Sequence, residues 1–370
     1  MEENRLVNYE SKQLQKVGSI IATTKKLLAT GERENVMDFF ITHRDLFKVL
    51  ISNYYPLNEV LIEKYKDEWY WYGLGGNAAI RWSEPLIEKY KGKYDIWLGV
   101  SSNESLPWSE AFIEKYNYWN WGKLGSNKAV PWTEALIEKY KDKQKIWSGL
   151  SLNEFLPWSE AFIEKYKDEW DWLYLGRNKG VPWSETLIEK YKNKEGLFYG
   201  LSANETLPWK EILFEKYKDK PLVLYGISSN ENLLWTEAFI EKYEQKWQWR
   251  KLGENKAVPW TEAIIEKYKD RDEFWNKKDL WDGLSSNESL PWSESFIKKY
   301  EGRWKWTGSV SNVIANPLGC NKGLPWSLSF IKKFDAKWDW HNLSHNIGMW
   351  EKAFQPYVDD AMIEKIISMK

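Results

Sequence analysis

The sequence predicts an all-α solenoid built from short helix pairs, about 25 residues per repeat, and three observations carry that prediction. The segment Leu-Pro-Trp-Ser-Glu-Ala-Phe-Ile-Glu-Lys-Tyr recurs, with its tryptophan slot at Leu57, Trp82, Trp108, Trp132, Trp158, Trp183, Trp209, Trp235, Trp260, Trp292, Trp326 and Trp350. Successive anchors lie 25, 26, 24, 26, 25, 26, 26, 25, 32, 34 and 24 residues apart, a regular period broken by two insertions. After each anchor the apolar residues fall on one helical stripe, as Phe162, Ile163 and Tyr166 do after Trp158.

The first helix of each unit is the plainer one. Ser159 is a predicted N-cap, Pro157 precedes it, and Glu160 puts negative charge in the first turn, where the helix dipole favours it. Recurrent Glu-Lys pairs such as Glu164 and Lys165 form the wet face. The second half reads Trp-x-Trp-x-x-Leu-Gly/Ser-x-Asn, as in Trp170, Trp172, Leu175 and Asn178. Its alternation admits a strand, which would give an α/β leucine-rich-repeat-like horseshoe as the alternative fold. Trp172 and Leu175 at i, i+3, the Asp219-Lys220-Pro221 start of Val223-Leu224-Tyr225, and the continuous run from Leu46 to Ile51 all favour a short helix.

Three segments follow. Residues 1–56 form a helical N-terminal cap with a degenerate repeat, in which Phe47, Leu50 and Asn53 stand where later units carry Trp, Leu and Asn. Residues 57–349 are the tandem repeats, with insertions near 269–283 and 307–323, and residues 350–370 form a C-terminal cap. Helices stacked ~8–10 Å apart make this an elongated arc or superhelix on the order of 100 Å long.

The units alternate. Odd-type units carry Gly-x-Asn-Lys, as at Asn127-Lys128 and Asn178-Lys179, and even-type units carry Ser-x-Asn-Glu, as at Asn103-Glu104 and Asn153-Glu154. Stacking sets these Lys and Glu side by side, a charge ladder worth ~0–1 kcal/mol per exposed pair that disfavours a slipped register. The alternation breaks at Trp209 and Trp235, where two even-type units follow each other.

Composition excludes several classes. Of 370 residues, 43% are hydrophobic and 29% charged, the balance of a globular chain rather than a disordered one. With 53 Lys+Arg against 54 Asp+Glu there is no net attraction to phosphate or anionic lipid, which argues against nucleic-acid and membrane-surface binding. Cys320 is the single thiol, the start Met1-Glu2-Glu3-Asn4-Arg5 is unlike a signal peptide, and no apolar run is long enough to span a bilayer. A cytoplasmic protein is expected.

The 27 tryptophans have two readings. Exposed aromatic rows bind glycans or single-stranded nucleic acid. Short helices with few core positions, however, need bulky rings to build a continuous core, and each ring buries ~150–250 Å². The core reading is the stronger, and the recurrent asparagines read as structural caps.

Chemistry is sparse: no Walker loop, dinucleotide fingerprint, nucleophile elbow or Cys-pair metal site occurs, and no cofactor or catalytic residue is expected. The one local constellation is Asp339, His341 and His345, with Cys320 a unit earlier, and His341 and His345 are weak metal candidates that chance placement explains better. Function is expected where units differ. The variable offsets after Trp-x-Trp and before Asn supply Tyr72, Lys123, Tyr174, Arg177, Arg250 and Lys251 as candidate partner-binding residues, and the first insertion adds Phe274, Trp275 and Trp281.

The stretch from Trp338 to Asn346, Trp-Asp-Trp-His-Asn-Leu-Ser-His-Asn, together with Leu290-Pro291-Trp292-Ser293, resembles the Trp-Asp-Trp-x-x-Leu-Ser-x-Asn-Pro-x-Ile-Thr-Trp repeats of large uncharacterised giant-virus proteins. The likeness covers most of residues 57–350, departing where Asn-Glu or Asn-Lys replaces Asn-Pro and Pro-Trp-Ser replaces Thr-Trp. It implies a viral or microbial source, in host cytoplasm or virion, and carries no activity. Architecture is also analogous to tetratricopeptide-type scaffolds. The expected function is a non-enzymatic scaffold with a protein partner, held by the variable face and insertion loops; the alternative is glycan or single-strand binding by exposed rings.

Overall fold

The computed structural model describes residues 30–207, 209, 211–220, 223–270, 279–307 and 318–369. Among these every regular element is helical and none is a strand, which excludes the horseshoe.

Twelve anchor helices recur, among them Glu59–Lys64, Glu84–Tyr90, Glu160–Lys165 and Asp360–Ser368. Their starts are set by capping. Ser159 Oγ accepts from Phe162 N at 3.1 Å, and Asn58, Ser83, Thr133 and Asp359 cap their helices in the same way. Leu or Phe, then Ile, then Tyr face the core, as Phe162, Ile163 and Tyr166 do.

The ambiguous half is helical too, for example Trp71–Gly76, Ile96–Val100, Trp121–Ser126, Ile146–Leu152 and Trp172–Arg177. Helices this short do not stand alone in water, so their stability comes from stacking. Seventeen tryptophans are buried and eight partly buried against the core, which accounts for every tryptophan whose side chain is described. Their indole N–H groups are largely spent on backbone carbonyls, as where Trp170 Nε1 donates to Ile163 O at 3.1 Å and Trp132 Nε1 to Leu124 O at 3.2 Å.

The two unit types are two halves of one joint. An even-type helix meets the odd-type helix before it through glycine: a methyl on Gly149 would overlap Gly122 O, and one on Gly200 would overlap Leu173 O. It meets the odd-type helix after it through serine: Asn120 N donates to Ser101 Oγ at 2.9 Å and Asp171 N to Ser151 Oγ at 3.0 Å. The break at Trp209 follows the same logic. There Gly226 closes on Ser202, whose Oγ donates to Tyr199 O at 2.9 Å.

Asparagines run through the array as a buried ladder. Asn178 Nδ2 donates to Ser151 O at 2.9 Å and Asn153 O at 3.0 Å, while its Oδ1 accepts from Gly180 N at 2.8 Å. The expected charge ladder is present beside it, with Lys128–Glu104 at 3.1 Å, Lys179–Glu205 at 2.6 Å and Lys256–Glu288 at 2.7 Å.

The arc expected from the spacing does not stay open. Its two ends pack on each other, so the array closes into a ring. Phe39 stacks on Phe354 at 5.6 Å and Phe40 meets it tilted at 4.5 Å, and Arg33, Tyr55 and Lys64 reach Asp359, Asp360 and Glu364. The C-terminal helix Asp360–Ser368 is an anchor helix, with Met362 and Ile363 in the Phe-Ile slots. Helix Arg44–Tyr54 is a second helix, and among the described residues it follows helical residues 30–42 rather than an anchor helix. Together they make one unit from both ends of the chain, joined where Arg44 Nη2 donates to Ile367 O at 3.3 Å. Trp350, which holds the last anchor slot by spacing, instead lies in a wide turn, Trp350–Phe354, that leads into this helix.

Candidate functional site on the inner rail

Closure decides which face looks inward, because the more tightly spaced rail of a ring has the smaller radius. Second helices meet backbone to backbone at their glycines. Anchor helices are spanned by long side chains, as where Tyr166 Oη donates to Glu138 at 2.7 Å and Lys115 Nζ to Glu84 at 2.8 Å. The second helices are therefore the inner rail, about 30 Å across at ~8–10 Å per unit.

The rail places the predicted residues unevenly. Tyr72 is half-buried and packs edge-on to Tyr70 at 5.7 Å. Lys123 and Arg177 are exposed, and Tyr174 is half-buried with its amide donating to Asp171 Oδ1 at 3.3 Å. Arg250 and Lys251 converge on one acid, donating to Glu254 at 3.2 and 2.6 Å. Phe274 and Trp275 lie outside the described residues, and Trp281 falls on helix Asp279–Ser286.

Four successive units bring side chains together around Tyr199. Its ring meets Tyr225 edge-on at 4.9 Å, and burial pushes its hydroxyl pKa up, assisted by Tyr225 and Glu254 and opposed by Arg177. Tyr199 and Tyr225 are in ring contact, Arg177 and Glu254 act on Tyr199 electrostatically, and Arg250 and Lys251 pair with Glu254, so the six side chains share one stretch of the rail. Tyr199 and Tyr225 escape a search that follows Trp-x-Trp, because their units have none. The available signal is the asparagine: both stand five residues before Asn204 and Asn230, as Tyr72 stands before Asn77.

A second feature sits on the outer rail at the irregular junction. Phe214 stands where the other anchor helices carry Ile, and Leu234 stands where most units carry Pro. Phe239 and Leu233, whose counterparts Phe162 and Leu156 are buried, are only partly covered here, and Leu234 is 84% exposed. The result is an apolar groove of about 640 Å³ lined by Trp209, Phe214, Leu233, Leu234, Phe239 and Tyr243, with Glu215 and Lys242 at its edge.

Asp339, His341, His345 and Cys320 have structural employment. Asp339 caps helix Trp340–Leu343, accepting from His341 N at 3.0 Å and Asn342 N at 3.3 Å. His345 Nδ1 lies 2.9 Å from His341 O, and the two imidazoles meet edge to face at 5.0 Å. Burial raises the Cys320 thiol pKa, with Asp339 adding to it. No cluster of three or more His, Cys, Asp or Glu suited to a metal ion occurs among the described residues, and none of their helices is long and apolar enough to cross a membrane.

Compared with protein-family models, with curated proteins and with solved structures, the chain matches none.

Proposed function

We propose that the chain is a cytoplasmic, non-enzymatic ring scaffold that holds a protein partner against its inner rail. The observation that carries this reading is the patch formed by Arg177, Tyr199, Tyr225, Arg250, Lys251 and Glu254, in which non-repeating side chains are mounted on a repeating frame. Tyr and Arg dominate binding energy at protein interfaces, because they combine large apolar area with a polar handle. The mixed charge of the patch suits a protein surface better than a polyanion.

Glycan or single-strand binding by rows of open indoles is less supported, since the described indoles are packed in the core. Kinship with the giant-virus repeats remains a proposal resting on motif likeness.

The test is paired affinity capture. Native chain is compared with a variant carrying Arg177→Ala, Tyr199→Ala and Tyr225→Ala, and with a control carrying Lys115→Ala and Lys139→Ala on the outer rim. The reading expects a protein captured by native and control chains and lost from the patch variant. Equal capture by all three, or retention of only glycan or nucleic acid, would contradict it.

A further inference from the structure

The ring has one junction that the backbone does not cross. Among the described residues the polar side-chain contacts across it run one way, with donors on the N-terminal edge and acceptors on the C-terminal edge. Arg33 donates to both oxygens of Asp359 at 2.8 and 2.9 Å. Tyr55 Oη and Asn58 Nδ2 donate to Asp360 at 2.7 and 3.2 Å, and Lys64 Nζ donates to Glu364 at 2.7 Å. The internal junctions have the same sense along the anchor helices, with Lys115 donating to Glu84 and Tyr166 to Glu138. Each unit therefore shows an acceptor edge forward and a donor edge backward, a head-to-tail interface that closes into a ring or extends into a chain.

We infer that the seam is an exchangeable junction and that the partner it fits is a second copy of this chain. An opened ring presents the acceptor edge of Asp360–Ser368, with the apolar face of Met362, Ile363 and Ile366, and the donor edge of residues 30–64. Charge complementarity and continuity with the internal junctions both select the same edges on another molecule. Concentration decides between the outcomes: closure within one chain wins when the effective concentration of its own end exceeds that of other chains. Two chains joined at both seams form one two-chain ring in which each seam is paired.

The experiment uses reversed edges in the full-length chain. One variant carries Arg33→Glu and Lys64→Glu, the other Asp359→Lys and Glu364→Lys. Each repels its own seam, whereas in a mixture both seams of a two-chain ring pair opposite charges. Light scattering after size exclusion should give 44.2 kDa for each alone and twice that mass for the mixture. A chain carrying all four changes should return to 44.2 kDa, which also shows that losing the Asp359 cap does not prevent folding. The unaltered chain supplies a second reading: refolded from urea at high concentration it should contain dimers that dilute refolding lacks. A mixture that stays at the single-chain mass, or refolding that gives no dimer at any concentration, would overturn the inference.

Discussion

Asn53 and Ser344, 291 residues apart, are hydrogen-bonded: Asn53 Nδ2 donates to Ser344 O at 3.3 Å. The same bond type links neighbouring units inside the array, as where Asn77 Nδ2 donates to Ser52 O at 3.1 Å and Asn230 Nδ2 to Ser202 O at 3.0 Å. The last unit thus treats the first as its next neighbour, and the four consequences below follow from that ladder and the frame around it.

Removing one rung strands buried carbonyls. Asn178→Ala deletes donors to Ser151 O and Asn153 O and an acceptor for Gly180 N, all in buried or part-buried surroundings. Unpaired buried polar groups cost ~1–3 kcal/mol each, so the urea midpoint should fall by the equivalent of about 3 kcal/mol. Loss below ~0.5 kcal/mol would show that water replaces the rung.

The glycine joint is steric. Gly149→Ala puts a methyl into Gly122 O, a backbone atom that cannot step aside, and overpacking of this kind costs ~1–3 kcal/mol. Gly92→Ala, with nothing within 4 Å of the new methyl, is the matched control and should leave the thermal midpoint unchanged. Equal behaviour of the two would remove the basis for the odd-even pairing.

The described indoles are packed in the core, and most donate to backbone carbonyls. Tryptophan emission should therefore be blue-shifted and poorly quenched by iodide, and both should reverse on unfolding in urea. A red-shifted, readily quenched native spectrum would restore the aromatic-platform reading.

Acid should loosen the outer rim. The Tyr166 hydroxyl and the Lys165 and Lys141 ammoniums hold the Glu138 carboxyl at about 2, and Lys167, Lys190 and Tyr191 do the same for Glu164. The usual value is 4.5, so the folded form binds the proton less readily than the unfolded chain. Stability from these groups is full above that value and is lost as pH falls from about 4.5 through about 2. At the alkaline end burial, with help from Glu63, pushes the Tyr90 hydroxyl up to about 12, so its contribution is full below 10 and lost as pH rises through 12. The acid limb should shrink in high salt because the pairs are exposed. A urea midpoint that is flat across the acid range would refute the Tyr–Glu–Lys rim.

Much of the frame was legible in the chain and its closure was not. Anchor helices announce themselves by Ser caps and the Phe-Ile-x-x-Tyr stripe, signals that lie within ten residues. The second helix was ambiguous because Trp-x-Trp alternates like a strand: Trp170 packs back on its own anchor helix, while Trp172 starts the next helix and carries Lys194 of the following unit over its ring at 5.4 Å. Closure depends on pairs such as Arg33 and Asp359, whose separation leaves no local pattern.

At the candidate site, Arg177 stands out by its offset from Asn, and Arg250 and Lys251 by following Trp-x-Trp; Tyr199 and Tyr225 hold a fixed offset from Asn but lack the Trp-x-Trp flag. The groove at Trp209 arises from Phe214, a single substitution in the Ile slot whose effect on the neighbouring Phe239 is a matter of packing rather than pattern.

The central claim is that the chain closes on itself, and zero-length carbodiimide cross-linking tests it most directly. Lys64 and Glu364 lie 2.7 Å apart across the seam, and Lys115 and Glu84 lie 2.8 Å apart at an internal junction, so the second pair calibrates the first. Mass spectrometry of the single-chain fraction should recover both linked peptides in comparable yield. Recovery of the Lys115–Glu84 link without the Lys64–Glu364 link would mean that the ends stand apart and the array is open.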